Sequence, residues 1–137
     1  MSEFTSPLVR QVAERAGHRC EYCQTPQAVT AQPFHLDHVL PRSRGGETTA
    51  ENLCYACPRC NLLKGDAVEA EDPRTGRRVL LFNPRLDRWD DHFRWSASYQ
   101  RIVGRTAIGR ATVVALRLNA EVLVQARKLW VLLKLIP

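Results

Sequence analysis

Two Cys-x-x-Cys pairs are the residues whose type and spacing most clearly indicate chemistry. Cys20 and Cys23 form the first pair, and Cys57 and Cys60 form the second. A tight turn at this spacing directs two thiolates to one side, and four thiolates suit tetrahedral, structural zinc. Four unliganded thiols or two disulfides are the alternatives. The fifth cysteine, Cys54, lies in an apolar stretch, so we expect it to be buried and not to bind the metal.

A second set of polar residues has types suited to hydrolysis of a phosphodiester. Asp37 and His38 are adjacent, and Asn52 and Asn61 follow within the same stretch. This reaction needs a base for the attacking water and a cation for the charge on the phosphate. Imidazole is a suitable base near neutral pH, and carboxylate and amide oxygens suit Mg²⁺ or Mn²⁺. A regular strand would direct Asp37 and His38 to opposite faces, so joint use requires a bend.

The order of these residues resembles the motif of the HNH endonucleases, which carry the ββα-metal fold. The pattern comprises Asp37-His38, Pro41, Gly45-Gly46, Asn52, Cys57-x-x-Cys60-Asn61 and Lys64. It covers about Arg19 to Asp66, and Asn61 stands where the last His of the motif is commonly found. The resemblance implies that His38 is the general base, that Asp37 and Asn61 hold a catalytic Mg²⁺ or Mn²⁺, and that Asn52 orients His38 by bracing the loop.

Basic residues near this motif are candidates for contacts with phosphate. Lys64 lies one helical turn beyond Asn61, and Arg42, Arg44 and Arg59 are close in sequence. Each arginine has a solvated surface role as its alternative. The net charge of +6 favours an anionic partner, of which nucleic acid is the commonest. We therefore expect binding to DNA, with RNA as a further candidate.

Three classes of function fit these features. The first is a metal-dependent endonuclease. The second is a zinc-stabilised nucleic-acid-binding module without turnover, and the third is an adaptor whose basic face binds an acidic protein. A binding module needs zinc and basic residues, but it has no need of a base beside hard-metal ligands. The set of Asp37, His38 and Asn61 therefore favours the endonuclease.

The elements that must position the motif are short. Ser6 is a candidate N-cap for a first helix that starts at Pro7 and ends at Gly17. Strands are predicted over 34–39 and 53–56, and a helix over 58–64 with Gly65 at its end. The fold class predicted is α+β: a ββα-metal core with a four-cysteine zinc site, flanked by an N-terminal helix and C-terminal helices.

The stretch 72–137 lies outside the motif and is predicted to extend the same single domain, 1–137. It contains an aromatic cluster of Trp89, Phe93 and Trp95, for which core packing is favoured over base stacking. Thr106 is a candidate cap for a helix over 107–118. A last helix over 120–135 is predicted to bury one apolar face and to keep its charged residues off that face. The predicted buried residues are Val122, Ala126, Leu129 and Leu133, and the charged ones are Arg127 and Lys128.

Cellular location is indicated only indirectly. No apolar run is long enough to span a membrane, and the first ten residues carry no apolar segment typical of a signal peptide. An odd number of cysteines in paired spacing argues for metal thiolates in a reducing compartment. We therefore expect a cytoplasmic protein with no membrane association.

Overall fold

The computed structural model describes residues 4–137, which divide into two compact units. The first unit holds the described residues up to Val68 together with Asn83–Leu86, and the second holds Glu69–Phe82 with Asp87–Pro137. The first unit combines helices with one short antiparallel strand pair and the second combines helices with two, so the α+β class is confirmed. The single domain over 1–137 stays a prediction.

The first helix, α1, spans Ser6–Arg15. Its N-cap is Thr5, whose side chain accepts a hydrogen bond from the backbone N–H of Leu8. The prediction that Ser6 caps the helix is wrong by one residue, because Ser6 is already helical. The predicted end is confirmed: Gly17 has φ +64°, a left-handed conformation that glycine adopts without steric cost.

Two strands and a helix form the centre of the first unit. β1, His35–His38, pairs antiparallel with β2, Leu53–Ala56, and α2, Pro58–Lys64, follows directly. Cys57 is the N-cap of α2, and Gly65 follows its last residue with φ +50°. The predicted bounds of β2 and α2 are confirmed. β1 is shorter than predicted, since residues 34 and 39 lie outside it.

The second unit is built from two hairpins and three helices. The hairpins pair β3, Glu69–Glu71, with β4, Arg78–Leu80, and β5, Phe93–Trp95, with β6, Ile102–Gly104. The helices are α3, Trp89–His92, α4, Ala107–Ala115, and α5, Glu121–Leu132. Thr106 caps α4 as predicted, since its hydroxyl accepts a hydrogen bond from the N–H of Gly109 at 3.1 Å.

The buried face of α5 differs from the prediction. The residues that it buries are Leu123, Val124, Arg127 and Trp130, whereas Val122, Leu129 and Leu133 are exposed. Arg127, which the sequence predicts to lie off the buried face, is fully buried. Its guanidinium donates to the carbonyl of Gln100 at 3.1 Å and lies 5.4 Å from the centroid of the Trp95 ring. These contacts compensate for the burial of a charge.

Among residues 4–137, no helix is long and apolar enough to cross a membrane.

Candidate active site and metal centre

The four cysteines of the two Cys-x-x-Cys pairs come together in one buried cluster. Their sulfur atoms all lie within 4.8 Å of one another, and none of the cysteines forms a disulfide. The Sγ atoms of Cys23 and Cys57 are 3.7 Å apart. Tetrahedral zinc with Zn–S distances of about 2.3 Å separates its sulfur ligands by about 3.8 Å. The cluster therefore has the dimensions of a zinc site, as the sequence predicts.

The surroundings of the cluster favour thiolates bound to a cation. The backbone N–H of Cys23 lies 3.5 Å from the Sγ of Cys20, and the N–H of Cys60 lies 3.4 Å from the Sγ of Cys57. These bonds place the partial positive charge of an N–H group beside each of the two sulfur atoms, which favours an ionised thiolate. Burial raises the pKa of the Cys20 thiol well above its usual range. An ionised thiol in such a place needs a compensating cation, so the donor set suits a metal.

The sequence-predicted catalytic residues meet at a second place, a groove beside β1 and α2. The groove has a volume of about 430 Å³, and Asp37, His38 and Asn61 all line it. His38 is the last residue of β1, and Asp37 precedes it. Both residues line the groove although they are neighbours on a strand. The structure therefore brings together the residues that the sequence assigns to the base and to the hard metal.

Asp37 is held by three side chains. It is 5% exposed, and its Oδ2 accepts a hydrogen bond from the hydroxyl of Tyr22 at 3.0 Å. The Nζ of Lys64 lies 3.3 Å from the same oxygen, and the Sγ of Cys54 lies 3.6 Å from it. As predicted, Cys54 is buried and is not part of the four-cysteine cluster. The carboxylate thus has a fixed orientation and a neutralising partner.

Lys64 occupies a different place from the one that a phosphate contact requires. Its side chain is almost fully buried, and its ammonium donates to the backbone carbonyls of His38 at 3.2 Å and Val39 at 3.3 Å. Together with the ion pair to Asp37, these bonds tie the last residue of α2 to the end of β1. Lys64 therefore fixes the positions of Asp37 and His38 through contacts inside the protein.

The imidazole ring of His38 is held by contacts within the protein. Its Nε2 lies 2.8 Å from the Oγ1 of Thr48, and its ring centroid lies 5.9 Å from that of Phe4. The side chain is half-buried. These contacts restrict the rotation of the imidazole, which a positioned base requires.

Asn52 braces the loop that follows β1. Its Oδ1 accepts from the N–H of Leu40 at 2.9 Å, while its Nδ2 donates to the carbonyls of Leu40 at 3.0 Å and Glu47 at 2.8 Å. The loop is closely packed at Gly46, where an added Cβ would lie 1.7 Å from the carbonyl oxygen of Leu40. The N–H of Val39 bonds to the carbonyl of Asn52 at 2.9 Å. The backbone next to His38 is thereby fixed.

The three arginines predicted near the site are placed differently. Arg42 is exposed and lines the groove. Arg44 is exposed and Arg59 half-buried, and neither is among the residues that line the groove. Of these three side chains, Arg42 is therefore the one positioned to meet a ligand in the groove.

Sequence reasoning missed several residues of this site. Tyr22, between the first two cysteines, is buried and bonded to Asp37. Thr48 carries no pattern that distinguishes it from its neighbour Thr49, yet it contacts His38. Asp66 lines the groove, and its position directly after the glycine that ends α2 is a signal that could have identified it.

A family match agrees with this geometry. Residues 20–67 match the family model described as HNH endonuclease, the family that the motif of this segment resembles. The match supports a nuclease or another nucleic-acid-related activity, and members of this family are usually metal-dependent. No curated protein and no solved structure matches the chain.

Proposed function

We propose that this protein is a metal-dependent endonuclease that hydrolyses phosphodiester bonds in DNA. The observation that carries the proposal is the single groove lined by Asp37, His38 and Asn61, within the segment that matches the HNH family. Hydrolysis needs a base and a hard cation close together. These residue types supply the base and the oxygen ligands that hold such a cation. The net charge of +6 supports an anionic substrate.

Asp37 and Asn61 are the residues that we assign to a catalytic Mg²⁺ or Mn²⁺. Their oxygen atoms are hard donors, as these cations require. Tyr22 and Lys64 contact Oδ2 of Asp37, so we assign the second carboxylate oxygen, Oδ1, to the metal. When bound, the cation supplies stabilisation of the charge that develops on the phosphate. The closed four-cysteine cluster is assigned to structural zinc.

His38 is the general base in this proposal. We assign to its imidazole the acceptance of a proton from the attacking water, with the ring held in place by the hydrogen bond between Nε2 and Thr48 Oγ1. The hydrogen bonds of Asn52 hold the backbone that carries this ring. Arg42 contacts the phosphate from the groove, and Lys64 acts as a positioning residue for Asp37.

A DNA-binding module without turnover is the second candidate. The observation in its favour is the ion pair between Lys64 and Asp37, because a carboxylate already neutralised by an ammonium attracts a divalent cation less strongly. Both candidates place the protein in the cytoplasm, where cysteines stay reduced and available to a metal.

Nicking of supercoiled plasmid discriminates between the two candidates. The zinc-loaded protein is freed of other divalent cations and assayed with Mg²⁺, with Mn²⁺ and with neither. The proposal expects nicking with either cation and none without them. In Asn61→Ala, the cation concentration for half-maximal rate should rise, while bound zinc stays unchanged. DNA binding without nicking under every metal condition would establish the second candidate instead.

A further inference from the structure

A second groove lies within the C-terminal unit, far along the chain from the motif. It has a volume of about 380 Å³ and is formed around the hairpin of β5 and β6. Four aromatic residues line it, Trp89, Phe93, Trp95 and Tyr99. Two arginines, Arg94 and Arg105, also line it, and both are exposed. Neither the HNH motif nor the family match includes any of these residues.

The aromatic rings of the groove are contiguous and held in place. The ring centroids of Trp89 and Trp95 are 5.5 Å apart, and those of Trp95 and Tyr99 are 6.4 Å apart. Trp95 also contacts the ring of Trp130 at 6.3 Å and the guanidinium of Arg127 at 5.4 Å, and both of those residues are buried. The indole of Trp95 is thus anchored on the core. Rigid aromatic surfaces of this kind suit stacking of flat ligands.

Tyr99 occupies a position that the backbone alone does not favour. It lies in the turn between β5 and β6 with φ +61°, a left-handed conformation that glycine adopts without cost and that a bulky residue adopts at some cost. The residue is 45% exposed, so burial gives little compensation. A strained and exposed aromatic residue that lines a groove is better explained by a ligand than by packing.

The charges of the groove narrow the class of ligand. Arg94 and Arg105 carry two positive charges at its wall, and Asp90 carries one negative charge. A polyanion with accessible aromatic faces matches this combination, because arginines bind its phosphates and the rings stack on its bases. In a DNA duplex the bases are stacked on one another and their faces are not accessible. The complementary ligand is therefore a single strand.

We propose that this groove binds single-stranded DNA by stacking bases on Trp95 and Tyr99, with Arg94 and Arg105 contacting the phosphates. The choice of DNA rests on the function proposed above, but the binding itself requires no catalysis. The groove would hold an unpaired segment of a substrate, and it would give the enzyme a preference for DNA that contains single-stranded regions.

The test uses the full zinc-loaded chain and a short fluorescein-labelled oligothymidylate, without added Mg²⁺. Anisotropy gives the affinity, and tryptophan emission reports on this unit because all three tryptophans of the chain lie in it. Tyr99→Gly removes the ring and relieves the turn, so it should not lower the melting temperature. We expect it to weaken binding about 5- to 150-fold, the equivalent of one stacked base. Tyr99→Phe should bind within about twofold of the wild type, since it keeps the aromatic ring.

Matched charge variants complete the test. Arg105→Ala and Arg74→Ala each remove one exposed arginine of the same unit, but only Arg105 lines the groove. Arg105→Ala should weaken binding more than Arg74→Ala, and it should reduce the salt slope of single-strand binding by about 0.7. Oligothymidylate should quench tryptophan emission in the wild type, whereas a duplex of the same length should quench it less.

Several results would overturn the proposal. Equal affinity of the wild type and Tyr99→Gly would show that the ring does not bind bases. Equal effects of the two arginine variants would show that Arg105 contributes only through the overall positive charge of the protein and not through its place in the groove. Tryptophan emission that changes with protein concentration and not with oligonucleotide would assign the groove to a second copy of the chain. Quenching by oligothymidylate with no plasmid nicking would support single-strand binding in this groove and refute the nuclease function. Nicking without quenching would support the nuclease function and refute single-strand binding in the groove.

Discussion

Replacement of Asn52 by Ala tests how the loop after β1 supports the candidate active site. The change removes three hydrogen bonds, of which two join the side chain to Leu40 and one joins it to Glu47. A hydrogen bond contributes about 0.5–1.5 kcal/mol net, and water can replace part of these bonds because they are near the surface. We therefore expect the free energy of unfolding to fall by about 1–3 kcal/mol. Cleavage should fall by about 10²-fold, because the backbone that carries His38 loses its alignment.

Asn119 offers a matched control in the other unit. Its side chain also makes three bonds: it accepts from the N–H of Ile102 and donates to its carbonyl, each at 2.8 Å, and it accepts from the guanidinium of Arg127 at 3.3 Å. Asn119→Ala should lose a similar amount of stability. At saturating DNA and well below the melting temperature, its cleavage rate should stay within about twofold of the wild type. Melting curves and single-turnover nicking rates are measured for both variants. Equal losses of cleavage would refute the reasoning, since the effect of Asn52 would then be one of stability alone.

Three further predictions concern charge, pH and zinc. Affinity for duplex DNA, measured by anisotropy, should fall steeply with salt because phosphate contacts release counterions, and an affinity that stays flat would contradict this. Two hydrogen bonds from Arg110 hold the pKa of the Asp72 carboxyl well below its usual range. The resulting stability should be complete above the unfolded pKa of about 3.9 and should be lost as the pH falls towards the lower folded value. In urea titrations at neutral pH, Asp72→Asn should therefore have a lower free energy of unfolding than the wild type. This difference should shrink below about pH 4. Cys57→Ser should lose zinc and melt far lower, because structural zinc contributes on the order of 10 kcal/mol, whereas Cys54→Ser should keep its zinc.

The sequence predicted the first unit well because its signals are local. Pro58 and Gly65 mark the start and the end of α2, and the structure has the helix from Pro58 to Lys64. The Cys-x-x-Cys spacing predicts the cluster, since two turns of this kind can share one metal. The residue types around Asp37 and His38 indicate their chemistry. None of these signals depends on contacts between distant parts of the chain.

Contacts between distant residues account for what the sequence did not predict. Lys64 follows Asn61 by one helical turn and was expected to face the phosphate, but the buried carboxylate of Asp37 attracts its ammonium. Arg127 is charged and is expected at the surface, yet a backbone carbonyl and an aromatic ring stabilise its guanidinium in the core. The contact of Thr48 with His38 depends on a loop whose path no spacing reveals. Each case requires knowledge of a partner that the local pattern does not contain.

The most direct test of the proposed mechanism compares two histidines of β1. His38 lines the groove, whereas His35 is exposed on the same strand and does not line it. His38→Ala should keep its zinc, its DNA binding and a melting temperature within a few degrees of wild type. Its single-turnover nicking rate with Mg²⁺ should drop by about 10²–10⁴-fold, the usual share of a general base. His35→Ala should nick at the wild-type rate. A His38→Ala protein that nicks as fast as His35→Ala would contradict the assignment of His38 as the base.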